Sequence, residues 1–133
     1  MKSSTFVLGA VVLAGLFASP SADAGYYDHL GVNVVTGSDE AYGTVGTARY
    51  SSDGNEYIGC TVNYVPSFPN YTYAYCFAMN SSGTYGSCYF YGDTTAMNLA
   101  ASINETSYVL FTWNSNGGNC ASLEVINGSP YIY

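Results

Sequence analysis

Positive charge is what this sequence has least of. Lys and Arg number two against nine Asp and Glu, for a net charge of −7, and only 8% of the 133 residues are charged. A surface of that sign repels phosphate backbones and anionic lipid heads, which excludes nucleic-acid partners and polybasic membrane attachment. His29 is the one histidine. A single imidazole limits His-based metal and nucleophilic sites, and beside Asp28 in a loose segment it reads as a bystander. The four cysteines, Cys60, Cys76, Cys88 and Cys120, never fall in CxxC spacing. Zinc and dithiol redox sites are therefore disfavoured against disulfides. No phosphate loop or dinucleotide motif occurs, so no cofactor is expected.

Long apolar runs are also missing, save one at the N-terminus. Lys2 precedes the run Phe6 to Phe17, and Ala22-Asp23-Ala24 supplies the small residues that signal peptidase reads. Residues 1–24 are expected to be a signal peptide, cleaved before Gly25, with a retained N-terminal anchor as the lesser alternative. The run is short for a membrane span, and no later segment is apolar enough to cross a bilayer. Cleavage leaves Arg49 as the only Lys or Arg, facing eight carboxylates. Cysteines exported to an oxidising compartment become disulfides, so the expectation is a secreted, stapled domain with no membrane attachment after cleavage.

Residues 25–55 are Gly-rich, acidic and free of cysteine. Leu30, Val32 and Val34 alternate with Gly31 and Asn33, the period of a half-buried strand. This segment is expected to be a loosely tied arm carrying one short strand, closed by the turn-prone Ser51 to Asn55. Residues 56–133 are expected to form the core domain. Its strands are predicted over Glu56–Tyr64, Tyr71–Met79, Thr84–Tyr91, Tyr108–Trp113 and Cys120–Ile126, with one helix over Thr94–Ile103 capped by Asp93 or Thr94. The fold class is α+β, in the order β-β-β-α-β-β: a small antiparallel sheet with one helix on one face, stabilised by disulfides.

Hairpin centres near Phe68 and Ser82 place Cys60 opposite Cys76 and Cys76 opposite Cys88. The three cysteines then share a sheet face with Ile58, Val62, Ala74, Ala78 and Phe90, onto which the helix is expected to pack through Met97, Ala100 and Ala101. Four cysteines allow three connectivities. Adjacent-strand disulfides favour the closer, non-hydrogen-bonded pairs. With Gly83 left-handed in the second turn, Cys76/Cys88 is a hydrogen-bonded pair. This favours Cys60–Cys76 and leaves Cys88–Cys120, a longer loop whose closure contributes about 3–4 kcal/mol on the chain-entropy model.

The opposite face of that sheet gathers Tyr71, Tyr73, Tyr75, Phe77, Tyr85, Tyr89 and Tyr91 out of 15 tyrosines in the chain. Three readings stand side by side. The face is a platform for stacking sugar rings or peptides, because tyrosine joins an apolar ring to a wet hydroxyl. It is a self-association surface. Or the arm folds over it as a second core layer, tyrosine being in any case a strand-favouring residue.

The acids offer little chemistry. Asp39-Glu40 and Asp53-Gly54-Asn55-Glu56 read as solvated turns and match no calcium loop. Glu105 and Glu124 cannot be argued into a glycosidase pair. Asn-x-Ser/Thr sites at Asn70, Asn80, Asn104 and Asn127 are expected at about this number by composition alone.

Glu56-Tyr57-Ile58-Gly59-Cys60, Cys76-Phe77-Ala78-Met79-Asn80 with Gly83, Ser87-Cys88, Tyr108 to Trp113, Gly118-Asn119-Cys120 and Leu123 to Ser129 carry a resemblance. Over about residues 56–129 the chain resembles small secreted four-cysteine bacterial proteins of unknown function. That resemblance implies bacterial secretion and no activity. The tyrosine density and the arm depart from the pattern, so specialisation is expected there. The expected function is a secreted, non-catalytic binding or adhesion module using the tyrosine face, with a polysaccharide or cell-surface ligand. The alternative is a self-assembling structural subunit, a homo-oligomer with its Leu30–Val35 strand donated to a neighbour's sheet edge. A small enzyme comes last, because the acid–base inventory is so poor.

Overall fold

The computed structural model of the chain describes residues 30–67, 69–115 and 118–128. The expected signal peptide, Asp28, His29, Phe68 at the first hairpin centre and residues 129–133 lie outside the described residues. Within them the order is β1 (Asn33–Val35), β2 (Glu40–Thr44), α1 (Val45–Arg49), β3 (Tyr57–Val65), β4 (Tyr71–Met79), β5 (Tyr85–Tyr91), α2 (Thr94–Ser102), β6 (Ser107–Trp113) and β7 (Cys120–Asn127). From β3 onward this is the predicted β-β-β-α-β-β, a mixed α+β fold of antiparallel strands with one substantial helix.

The strands form two sheets where one was expected. One is three-stranded, β3-β4-β5, and the other is four-stranded, β1-β2-β6-β7. The expected loose arm is the source of the difference. It supplies two strands and a short helix, and β2 pairs with β6 from Glu40↔Thr112 to Thr44↔Tyr108. Two more hydrogen bonds tie it down: Thr44 N donates to Leu30 O at 3.0 Å and Trp113 N to Asp39 O at 2.9 Å. Sequence reasoning missed β2 and α1 because Ala41, Gly43, Gly46 and Ala48 are too small to give a hydrophobic period. Their burial depends on tertiary neighbours, and a five-residue helix has little stability without them.

In the β3-β4-β5 sheet Cys60 faces Cys76 and Cys76 faces Cys88, as the hairpin centres require. The disulfides run Cys60–Cys76 and Cys88–Cys120, with Cα separations of 4.0 and 4.9 Å. The first lies within the three-stranded sheet. The second ties β5 to β7 and so joins the two sheets. Beside it Tyr89 N donates to Gly118 O at 2.9 Å. In the second turn Gly83 is left-handed (φ 79°), and Gly83 N closes onto Asn80 O at 2.9 Å.

The core lies between the sheets. From the cysteine face come Ile58, Cys76, Ala78 and Cys88; from the other sheet come Val32, Val34, Ala41, Val109 and Phe111. Ala74 is fully buried as expected, but Val62 is exposed and Phe90 only half-buried. The second sheet covers the Ile58 end of the hairpin and does not reach the Val62–Tyr64 end, where Thr94 and Met97 of the following helix stand near Tyr64. Helix α2 starts at Asp93, whose side chain accepts from Thr95 N and Ala96 N at 2.9 and 3.0 Å, a standard N-cap that satisfies two orphan amides. The helix touches β3 and β4 of one sheet and β7 of the other. Serving two sheets centres its buried face on Ala96 and Ala100, with Met97 half-buried and Ala101 exposed. The expected Met97/Ala100/Ala101 face was therefore rotated. Asn127 closes the bundle, its amide donating to Ser102 O at 3.3 Å and its side-chain oxygen accepting from the fully buried Ser107 hydroxyl.

The sheets approach closely at Gly86. A Cβ there would lie 2.7 Å from Trp113 and 3.2 Å from Val34. Overpacking at such a contact costs about 1–3 kcal/mol. Gly86→Ala is expected to lower the thermal midpoint by several degrees while Gly59→Ala, where a Cβ meets nothing within 4 Å, moves it far less. Equal midpoints would contradict the close approach.

Candidate functional site

Strand β4 reads Tyr71-Thr-Tyr73-Ala-Tyr75-Cys-Phe77-Ala-Met79. Side chains alternate across a strand, so every large ring falls on one face and every small residue on the other. Strand β5 follows the same division with Tyr85, Tyr89 and Tyr91 opposite Gly86 and Cys88, and breaks it only at Phe90, a ring on the cysteine side. Register then sets the rings side by side, Tyr75 beside Tyr89 and Tyr73 beside Tyr91.

The rings make a continuous ladder. Tyr75 and Tyr89 have centroids 4.5 Å apart at 31°, and Tyr89 stacks on Tyr91 at 5.7 Å and 17°. Tyr73 lies 5.8 Å from Tyr89 and 6.0 Å from both Tyr91 and Tyr71. Phe77 continues the row 5.6 Å from Tyr75. The hydroxyls of Tyr75 and Tyr85 are hydrogen-bonded to each other. Each close aromatic pair adds about 0.5–1.5 kcal/mol beyond area burial, so the ladder is held in place by its own contacts.

This face is open. Tyr71, Tyr85 and Tyr91 are exposed, at 46–59%, and Tyr73, Tyr75, Phe77 and Tyr89 are half-buried against one another. The reading in which the arm covers the tyrosines fails for its described part. Val32 and Val34 belong to the core with Cys76 and Cys88, on the opposite side of the sheet. Small residues on the cysteine side leave room there for a second layer, whereas the tyrosine side is already filled by its own rings.

Sequence reasoning left three parts of the face out. Tyr57 adds an eighth ring, edge-on to Phe77 at 5.8 Å. Thr61 and Asn63 stand opposite Tyr75 and Tyr73 and form a polar border, bonded to each other at 2.9 Å. The same register sum that paired the cysteines locates all three, had it been extended along β3.

Asp53 and Glu105 are engaged away from the face. Asp53 accepts from Asn55 N and Glu56 N at 2.7 and 3.2 Å, and the first of these bonds chiefly holds its carboxyl below the usual value. Glu105 accepts from the Tyr50 hydroxyl at 2.9 Å and lies 3.7 Å from Arg49. Glu124 stands opposite Leu110 on β7. Among the described residues no three His, Cys, Asp or Glu side chains gather at a metal-holding distance. None of their helices is long and apolar enough to cross a membrane. The face thus offers ring surfaces and neutral hydroxyls, which suits stacking and hydrogen bonding.

Crowding shows in the ring hydroxyls. Burial pushes the Tyr85 hydroxyl above its ordinary value of about 10, aided by the Tyr75 hydroxyl; burial and then Tyr75, Tyr91 and Tyr73 do the same at Tyr89. A group whose value is raised by folding stabilises the fold below its unfolded value and loses that contribution as pH climbs through the raised one. The thermal midpoint is therefore expected to fall above about pH 10, and the phenolate absorbance that Tyr85→Phe and Tyr89→Phe remove to develop at higher pH in the folded protein than in denaturant. Coincident titrations would contradict it.

Comparison of the chain with family models, curated proteins and solved structures gives no match.

Proposed function

We propose that this chain is a secreted, non-catalytic binding module whose tyrosine face docks on an extended neutral polysaccharide. The observation that carries this reading is the unbroken ladder Tyr71–Tyr73–Tyr91–Tyr89–Tyr75–Phe77 on an open sheet face. A sugar ring presents an apolar face of C–H groups and an equatorial rim of hydroxyls. Tyrosine rings meet the first, and their hydroxyls, with Thr61 and Asn63 alongside, meet the second. The flat relief suits an extended polymer better than a compact small molecule. Overall charge favours a neutral one, because −7 repels uronates and phosphates.

Secretion is supported by the signal-like residues 1–24 and by the bonding of all four cysteines. Bacterial origin rests on the resemblance alone. Self-assembly through the same face is the second reading, favoured by the exposed rings Tyr71, Tyr85 and Tyr91. Its donated-strand form is weakened because β1 already pairs with β2 of its own chain, Asn33↔Tyr42 to Val35↔Glu40.

Retention of the oxidised protein on insoluble cellulose, chitin and mannan tests the proposal. Wild type is expected to be retained by at least one polymer, and Tyr73→Ala with Tyr75→Ala to weaken retention about tenfold, which corresponds to about 1.4 kcal/mol. The double variant is checked for an intact fold by circular dichroism. Retention by none of them, or retention unchanged in the variant, would overturn the reading. Growth beyond a monomer in light scattering that the same substitutions abolish would favour assembly instead.

A further inference from the structure

The tyrosine ladder runs out at a cleft. It lies where the β3–β4 hairpin meets the start of α2, and it has a volume of about 480 Å³. Two residues belong to both surfaces: Tyr71 and Tyr91 close the ladder and also wall the cleft. Its other wall is Tyr64, which β3 presents on the opposite side of the sheet. The cleft therefore turns over the end of the sheet, at the half of the hairpin that the second sheet leaves uncovered.

Its chemistry is uniform. Besides the three tyrosines it is lined by Asn70, Thr72 and Thr94 with Gly92 and Met97, and among the described residues no acid or base lines it. The nearest carboxylate in sequence, Asp93, is turned to the amides of Thr95 and Ala96 as the helix cap. Asn70 donates to the Tyr64 hydroxyl at 3.4 Å, a long bond on an exposed pair that a ligand hydroxyl can replace. Tyr64 is 62% exposed, so its ring surface is free for contact. Aromatic walls with neutral donors and acceptors, in a space within the about 300–1,000 Å³ of small-molecule sites, match a pyranose ring.

We propose that this cleft binds one neutral hexopyranose unit, at the point where a polysaccharide chain leaves the flat tyrosine face. The proposal rests on the polysaccharide reading above and adds a defined subsite to it. The cleft grips a single unit from two sides, whereas the face supports a run of units from one. Soluble oligosaccharides therefore depend on the cleft more than insoluble polymer does.

The test is a titration of the isotope-labelled, oxidised protein with hexasaccharides of cellulose, chitin and mannan, and with oligogalacturonate as the charged counterpart, followed by amide shifts. Saturable shifts with a neutral oligosaccharide are expected at Tyr64, Asn70 and Thr94 together with Tyr73, Tyr75 and Tyr89. Tyr64→Ala and Thr94→Val are expected to weaken oligosaccharide binding about tenfold and to leave retention on insoluble polymer nearly unchanged. Shifts confined to the tyrosine face would overturn the cleft and leave the face reading standing. Shifts confined to the cleft would support the subsite and overturn the face reading. No shifts at either surface, or equal binding of oligogalacturonate, would overturn the proposal. Should a variant fail to fold, the wild-type shifts decide alone.

Discussion

The structure depends on an inversion of size across β4. Tyr71, Tyr73, Tyr75 and Phe77 point one way, and Ala74, Cys76 and Ala78 point the other. In most sheets the bulky side faces the core. Here the small side does, so the core must be filled from across the gap. Phe111, Val109, Val34 and the half-buried Trp113 fill it, and the contact is close enough that β5 carries glycine at position 86. A strand with a bulky inward face would hold the second sheet farther away.

The disulfides follow from the same inversion. A core in which alanine and cysteine supply most of one wall, with Ile58 its one large buried member, buries less apolar area on that side, and burial is the main favourable term for a small domain. Cross-links offset the deficit by restricting the unfolded chain. Their placement is not redundant. Cys60–Cys76 fixes the pairing of β3 with β4, while Cys88–Cys120 binds the edge strand β5 to the other sheet. The second bond spans the larger loop and connects elements that share no strand ladder.

Function, on the reading proposed, is the outer side of this arrangement. Aromatic residues excluded from the core become a surface whose rings hold one another, cross-strand and along the strand. That makes the face rigid without help from loops, and a rigid platform loses little entropy when a partner binds. The absence of charge among its side chains sets what it can recognise: apolar ring faces and hydroxyls. The cleft beyond Tyr71 and Tyr91 has the same chemistry in concave form, because the hairpin extends past the second sheet and the start of α2 meets Tyr64 and Thr72 across a gap.

Local order in the chain was legible wherever alternation was strong. The β3–β4–β5 meander, the opposition of Cys60, Cys76 and Cys88, and the grouping of seven aromatics on one face all follow from a period of two and two turn positions, while the sequence narrows the α2 cap to Asp93 or Thr94 and the structure places it at Asp93. Tyr57, Thr61 and Asn63 were within reach of the same arithmetic. What sequence alone left undetermined was everything that depends on a distant neighbour. Ala41, Gly43, Gly46 and Ala48 are too small to announce a strand or a helix. They gain structure only because β6 offers a ladder and Ile58 and Phe111 offer a surface. The rotation of α2 and the exposure of Val62 were likewise decided by the second sheet, whose existence required the arm to return. The sequence by itself determined which side chains share a face. Only the tertiary structure decided which face is covered, because covering requires apolar area from elsewhere in the chain to meet a surface with room for it.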